Sequence, residues 1–331
     1  MPITESNYDL PSHKAGCRTQ LRHKTTNTTQ GSPILFVHGA TYGATQTFDY
    51  AINGRSWMDE MADQGFDAWC LDLTGYGHSD RPGEMAEAAS LNAPLVRTDD
   101  AVVDVLHAID FICAQGAHDA IDLLGYSWGT VICGRVAGQC PERVNRLVLC
   151  GALWVEKQTG FQASRIPAYR TVTASSALNR WGHGLEPGVF ETVVAPQIAA
   201  DWCQTVVETD PDYDAAQHAF LRAPTGVRAD YEHCAQTGLD WYEPELIQAP
   251  TLIVVGDLDI ETTPEQGRIV FSRLSQAPSR QFTLIGGGTH SLLLENRRFQ
   301  LFDVVRQYLR AEITTRRRAP QAVPCQTVGF T

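Results

Sequence analysis

The sequence predicts an α/β protein with a mostly parallel central sheet, helices on both faces and an inserted, mainly helical segment. Three observations carry that prediction. Six short apolar runs are bounded by turn residues, helix-length segments separate them, and one long stretch keeps neither rhythm. The runs are 34–39 (ILFVHG), 66–73 (FDAWCLDL), 120–125 (AIDLLG), 146–153 (RLVLCGAL), 251–256 (TLIVVG) and 281–286 (QFTLIG). Their near-continuous apolar character suits strands covered on both faces, which is the condition of a parallel sheet.

The helices follow from spacing and caps. Residues 98–116 open with Thr98 as a plausible N-cap and Asp99 and Asp100 in the first turn. Val102, Val103, Leu106, Ile109 and Ile112 or Cys113 mark one face, and Gly116 ends the helix. A second helix runs from Thr130 to about Gln139, before Pro141; a third starts near Thr263 and Pro264. A fourth covers about 296–311, with Phe299, Phe302, Val305 and Leu309 on one stripe. Residues 155–245 break the pattern: amphipathic stretches replace clean buried strands. Counting Trp154 at its edge, this stretch has four of the seven tryptophans (Trp154, Trp181, Trp202 and Trp241). The expected division is a core of 1–154 and 246–312, a helical cap of 155–245 over the carboxyl edge of the sheet, and a flexible tail of 313–331.

Composition narrows the function. A net charge of -12 over 331 residues repels phosphate backbones, so nucleic acid is not an expected partner. The basic run Arg316, Arg317 and Arg318 reads as a solvated tail. No stretch approaches the length of an apolar membrane span, and the opening MPITESNYDLPSHKAG lacks the apolar centre of an export signal. Nine cysteines without a CxxC pair read as small buried hydrophobes in a reducing compartment. These features predict a cytoplasmic protein acting on a small molecule, with association between copies left open.

The chemistry centres on GYSWG, residues 125–129, which sits between a predicted strand and a predicted helix. That context gives G-x-S-x-G its meaning: a sharp turn lifts the Ser127 hydroxyl to the carboxyl edge of the sheet, beside helix N-terminal N–H groups. A Cβ at Gly125 or Gly129 would collide with the neighbouring helix or strand. A serine hydroxyl needs a base, and the base needs an acid to fix its tautomer. DLDIETTP follows the strand at 251–256, and GGTHSLLLE follows the strand at 281–286. Both put polar residues on the edge where Ser127 stands, in the order serine, acid, histidine. His290 is the candidate base; Asp257, Asp259 and Glu261 compete as the acid, with Glu156 a remote fourth.

Two further motifs, HGATYG (38–43) and DLTGYGHSDRP (72–82), complete a set of four in order. With them the chain resembles the α/β-hydrolase superfamily over about 30–155 and 245–312. The resemblance implies a cofactor-free and metal-free serine hydrolase with a helical cap. Ser127 would be the nucleophile and His290 the base. The family's G-x-x-D pattern over Gly256–Asp259 puts the acid on Asp259, with Asp257 next. Backbone N–H groups of Trp128 and Ala40 would hold the oxyanion, or Thr41 if the turn is shifted. His38, His78, Asp72 and Asp80 read as structural. Tyr126, Trp154 and Trp181 are candidates for the substrate pocket, each weighed against simple packing of the cap. The expected reaction is acyl-enzyme hydrolysis of a carboxylic ester or lactone of a small apolar or aromatic molecule. Acyl transfer, and amide, thioester or carbon–carbon hydrolysis, share the same machinery. A non-catalytic receptor is disfavoured by the filled triad, and serine at 127 argues against a dehalogenase or epoxide hydrolase.

Overall fold

The computed structural model describes residues 2–312 except 28, 30 and 163; the expected tail, 313–331, lies outside the described residues. In chain order the elements begin β1 (Thr4–Pro11), β2 (Arg18–Thr25), β3 (Pro33–Val37), α1 (Ala44–Phe48), α2 (Trp57–Asp63) and β4 (Asp67–Asp72). Then come α3 (Thr98–Gly116), β5 (Ile121–Tyr126), α4 (Trp128–Gln139) and β6 (Val144–Cys150). The stretch that broke the rhythm contains β7 (Tyr169–Val172), α5 (Ala174–Trp181), α6 (Phe190–Val193), α7 (Pro196–Val207), β8 (Leu221–Pro224) and α8 (Gly226–Thr237). The chain continues through β9 (Thr251–Gly256), α9 (Pro264–Arg273), β10 (Arg280–Ile285) and α10 (Arg298–Arg310).

Eight strands form one sheet in the order β1-β2-β4-β3-β5-β6-β9-β10. The six apolar runs supply β3, β4, β5, β6, β9 and β10, all parallel to their neighbours within that set. Parallel neighbours send all six carboxyl ends to one edge, which is where loops can meet to build a site. Helices cover both faces. One buried cluster packs α3 and α4 against Leu35, Leu123 and Leu147; the other packs α1, α2, α10, Trp181 and Trp202 against Phe36, Leu124 and Val254.

The structure corrects several expectations. The β1–β2 hairpin joins the sheet antiparallel to β4, and its charged, half-exposed sequence gave no buried-strand signal. Arg97, not Thr98, occupies the N-cap position of α3, and its backbone N–H donates to Asp100 Oδ2 at 2.9 Å. Thr98 is buried, and its hydroxyl accepts the indole N–H of Trp128 at 3.0 Å and of Trp241 at 2.9 Å. Two buried indole donors need an acceptor, and that demand outweighs a capping role. Val103 points outward while Ala101, Val105 and Ala108 face the core. Phe299 is half exposed under the Arg298 guanidinium, and Leu301 and Tyr308 take the inner positions of α10. Helix α4 starts at Trp128, two residues earlier than expected. The segment read as mainly helical also holds a two-stranded ribbon, β7 with β8. Strand β8 escaped notice because four residues are too few for a period, and its Arg222 is buried by pairing with Asp210.

Candidate active site

Tyr126 ends β5 and Trp128 begins α4, so a single residue makes the reversal. Ser127 accordingly sits at φ 55° and ψ -121°, a conformation that side-chain-bearing residues rarely occupy. The flanking glycines permit it. A Cβ on Gly125 would lie 2.3 Å from the Gly129 carbonyl oxygen, and one on Gly129 would lie 2.2 Å from that of Val37. Both obstacles are backbone, so neither can rotate away. Gly129→Ala is therefore expected to destabilise the fold by about 3 kcal/mol, read as a shift of the urea midpoint at unchanged slope.

Bonds on every side hold the turn. The Ser127 N–H donates to the Cys150 carbonyl at 2.9 Å, and the Thr130 hydroxyl donates to the Ser127 carbonyl at 2.6 Å. The loop after β3 presses on the serine, since a Cβ on Gly39 would lie 2.9 Å from the Ser127 Cβ. His38 braces that loop: its Nε2 accepts the Leu73 N–H at 3.1 Å, which leaves Nδ1 to donate to the Gly39 carbonyl at 2.7 Å. Burial pushes the His38 pKa down and keeps the ring neutral. Asp72 ties neighbouring loops by accepting the Ala44 N–H at 2.5 Å and the His78 N–H at 2.9 Å, and Asp80 accepts the Arg18 N–H at 2.8 Å.

Adjacent strands β9 and β10 bring the acid and the histidine together. The loops beyond them are joined by Leu258 N–H to the Gly288 carbonyl at 2.9 Å and by Gly287 N–H to Asp257 Oδ1 at 2.7 Å. Of the rival acids, Asp259 reaches the imidazole: its Oδ2 lies 2.9 Å from His290 Nδ1. His290 Nε2 in turn lies 3.0 Å from Ser127 Oγ. Asp259 is buried, its Oδ1 accepting the N–H groups of Glu261 at 2.9 Å and Thr262 at 2.8 Å. The Thr262 hydroxyl donates to Oδ2 at 2.7 Å. Asp257 is exposed and serves Gly287, and Glu156 is exposed beyond the β6 loop. Glu261 lies on the other side of the ring, 3.8 Å from Nε2.

These charges act on His290. Burial favours the neutral ring, but the Asp259 carboxylate with its hydrogen bond, aided by Glu261, outweighs burial and raises the pKa; Arg180 pulls the other way. A neutral imidazole with its Nδ1–H held by Asp259 presents Nε2 as an acceptor to the serine hydroxyl. The arrangement can therefore take the proton of Ser127.

The serine and histidine open into a recess of about 660 Å³, open space at its mouth included, whose lining includes Ala40, Tyr42, Tyr126, Arg180, Trp181, Trp202, Glu261 and Leu293. Trp128 is the first residue of α4, so its N–H has no carbonyl one turn back within the helix. Tyr126 stacks on the His290 ring at 5.1 Å and donates its hydroxyl to the His290 carbonyl at 2.7 Å. Trp181 lines the recess and donates its indole N–H to buried Glu295 at 3.0 Å. Trp154 does not line it: it packs edge-on to Tyr242 at 5.7 Å, beneath the Arg273 guanidinium, because the chain leaving β6 turns to the α4 and α9 side of the sheet. Sequence reasoning missed Arg180, Tyr42, Thr262 and Glu295. Thr262 follows the acid within DIETTP and was open to discovery there; Arg180 had no motif around it.

A family model described as the alpha/beta hydrolase fold matches residues 32–297. Over 141 residues the chain is 34% identical to a 2-hydroxymuconate semialdehyde hydrolase from Pseudomonas sp. (strain CF600), an alignment spanning 43% of this chain and 42% of that relative's length. Among solved structures, a hydrolase from Pseudomonas aeruginosa PA01 superposes with a TM-score of 0.63 at 17% identity, covering 92% of this chain and 99% of that one. A thermophilic esterase from Thermogutta terrifontis superposes with a TM-score of 0.59 at 17% identity, covering 92% and 98%. At such identities the structural likeness concerns the fold.

Proposed function

The chain belongs to the α/β-hydrolase fold family, and from that premise we propose that it is a hydrolase that cleaves a carboxylic ester or lactone through an acyl-enzyme on Ser127. The observation that carries the proposal is the continuous hydrogen-bonded line from Ser127 Oγ through His290 to Asp259, opening into the recess. Ser127 Oγ attacks the carbonyl carbon as His290 Nε2 takes its proton. Trp128 and Ala40 N–H groups receive the oxyanion; losing one such donor typically costs about 100- to 1000-fold in rate. His290 returns the proton to the leaving alkoxide, then takes a proton from water as that water attacks the acyl carbon, and passes it to Ser127 Oγ as the acid is released. Asp259 keeps the ring in one tautomer throughout.

The walls favour a small, largely apolar substrate: Tyr42, Trp181, Trp202, Leu293 and Leu294 face the recess. Residues 155–245 then serve as the cap, tied down by the Trp202 indole N–H to the Gln46 carbonyl at 2.8 Å and by Trp181 to Glu295. Cys70, Cys133 and Cys150 are buried, and burial raises their thiol pKa values, as expected of packing residues.

A second reading rests on the Pseudomonas relative: the same serine can attack a ketone or aldehyde carbonyl and release a carbon leaving group. A panel of aryl esters, lactones and 2-hydroxymuconate semialdehyde, scored by kcat/KM, separates the two. The expected result is turnover of esters or lactones, with Ser127 carrying the label after a fluorophosphonate probe. A preference of more than about tenfold for the semialdehyde, some 1.4 kcal/mol in the barrier, moves the reading to carbon–carbon hydrolysis. Added alcohol acceptors expose acyl transfer as a new ester product.

A further inference from the structure

Glu261, a rival for the triad acid, occupies a place of its own. Asp259 holds His290 Nδ1, whereas Glu261 Oε2 lies 3.8 Å from Nε2, the nitrogen that faces Ser127. Arg180, near the end of α5, fixes the carboxylate in two-pronged fashion, with Nε 2.8 Å from Oε1 and Nη2 on Oε2. Arg180 also donates to the Thr41 hydroxyl at 3.2 Å, one residue beyond Ala40. Arg180, Glu261 and His290 all line the recess. A carboxylate from the β9 loop and a guanidinium from α5 thus meet on the side of the imidazole from which a substrate arrives.

The charged and titratable groups around the ring come from every packed element. From the β9 loop come Asp259 and Glu261, and from α5 comes Arg180 behind Glu261. Strand β5 contributes Tyr126, kept neutral by burial. Glu295, beyond the histidine in sequence, is turned to Thr289 and Trp181. Arg170 of β7 reaches the Thr41 hydroxyl and adds positive charge farther out. Burial works against charge on Glu261, but the facing histidine and the Arg180 bond hold its carboxyl below the usual range, so it is ionised.

On the serine-hydrolase reading above, we propose that Glu261, clamped by Arg180, is a positioning residue for the base: it faces the Nε2–H of the imidazolium that forms when Ser127 gives up its proton. Glu261 and Arg180 act on the ring with opposite sign. The carboxylate favours the charged imidazolium and the guanidinium disfavours it. In the resting enzyme His290 must be neutral to work, so turnover appears as pH rises through its pKa. Removing Glu261 lowers that pKa and extends activity toward acid, while the plateau falls because the imidazolium loses a neighbour. Removing Arg180 leaves Glu261 uncompensated and moves the limb toward alkaline pH.

The test compares Glu261→Gln, Arg180→Gln and the double variant. Glu261→Gln keeps shape and is expected to shift the acid limb of kcat/KM down by about one pH unit and to lower plateau kcat about tenfold. Arg180→Gln is expected to shift the limb up, and the double variant to return near the parent. The same order is expected for the His290 imidazole titration followed by NMR in a Ser127→Ala background, where no turnover is needed. Limbs and titrations that stay put while both single variants lose activity and thermal stability alike make the pair a structural clamp and overturn the proposal. Opposite NMR shifts with turnover surviving in Ser127→Ala would instead overturn the nucleophile assignment and leave the influence of Glu261 on the ring standing.

Discussion

Ser127→Ala is expected to lower kcat/KM for a chromogenic ester by about 10,000-fold or more, with the fold and substrate affinity retained. The hydroxyl is the atom that bonds His290, and alanine removes it alone. Alanine keeps the Cβ, so the unusual backbone at φ 55° is neither relieved nor worsened. Binding walls stay in place because Tyr42, Trp181, Trp202 and Leu293 come from elsewhere in the chain. The check is a burst of product and a trapped acyl adduct in the parent, both absent in the variant, with matching circular dichroism and melting temperature. Ser127→Gly separates chemistry from strain. Glycine accepts positive φ without penalty, so this variant is expected to be equally inactive and more stable than Ser127→Ala by about 1 kcal/mol. A serine whose removal both stabilises and silences the protein is one held in its pose against local preference. Substantial turnover in a folded Ser127→Ala protein would end the acyl-enzyme reading.

The parts of this design that were legible in the sequence are those written locally. Strands β3 to β6 and β9 announce themselves because burial on both faces demands apolar runs, whereas β10, at the edge of the sheet, buries only Ile285 and is legible by its bounding turn residues. Ser127 and His290 were legible because a strand-to-helix reversal needs Gly125 and Gly129, and because each loop directly follows a strand end. The candidate acid was narrowed to DLDIE by position but chosen by resemblance; the carboxyl that meets His290 is Asp259, with the Gly287 N–H bonded to Asp257 and the Thr262 hydroxyl bonded to Asp259. What stayed hidden is what long-range pairing decides. Arg180 meets Glu261 across 81 residues, and Glu295 receives Trp181 across 114. Tryptophans show the difference plainly: Trp181 and Trp154 look alike in sequence, yet one walls the recess and the other packs beneath Arg273. The β1–β2 hairpin was invisible for the opposite reason, since an edge ribbon with charged faces leaves no apolar pattern to read.

The choice among the three carboxylates of the β9 loop gives the second large effect. Asp259→Asn is expected to lower kcat about 10,000-fold, close to the loss of the nucleophile. The carboxylate now accepts from Nδ1–H and from the Thr262 hydroxyl at one oxygen, and from two backbone N–H groups at the other. The backbone donors claim the amide oxygen of an asparagine, which turns its NH2 toward the ring. Nδ1 must then accept, the proton moves to Nε2, and the base can no longer take the proton of Ser127. Asp257→Asn is expected to stay within about twofold of the parent, because the side-chain oxygen of asparagine still accepts the Gly287 N–H at an exposed site. Glu261→Gln, with its expected tenfold loss and displaced acid limb, falls between them. The order of the three losses therefore maps onto which ring nitrogen each carboxylate serves: the tautomer at Nδ1 sets whether the reaction runs, the field at Nε2 sets the pH at which it runs, and a carboxylate serving neither nitrogen leaves the rate alone. Parent-like activity in Asp259→Asn alongside a collapse in Asp257→Asn would mean that the loop rearranges in solution and that the acid is Asp257.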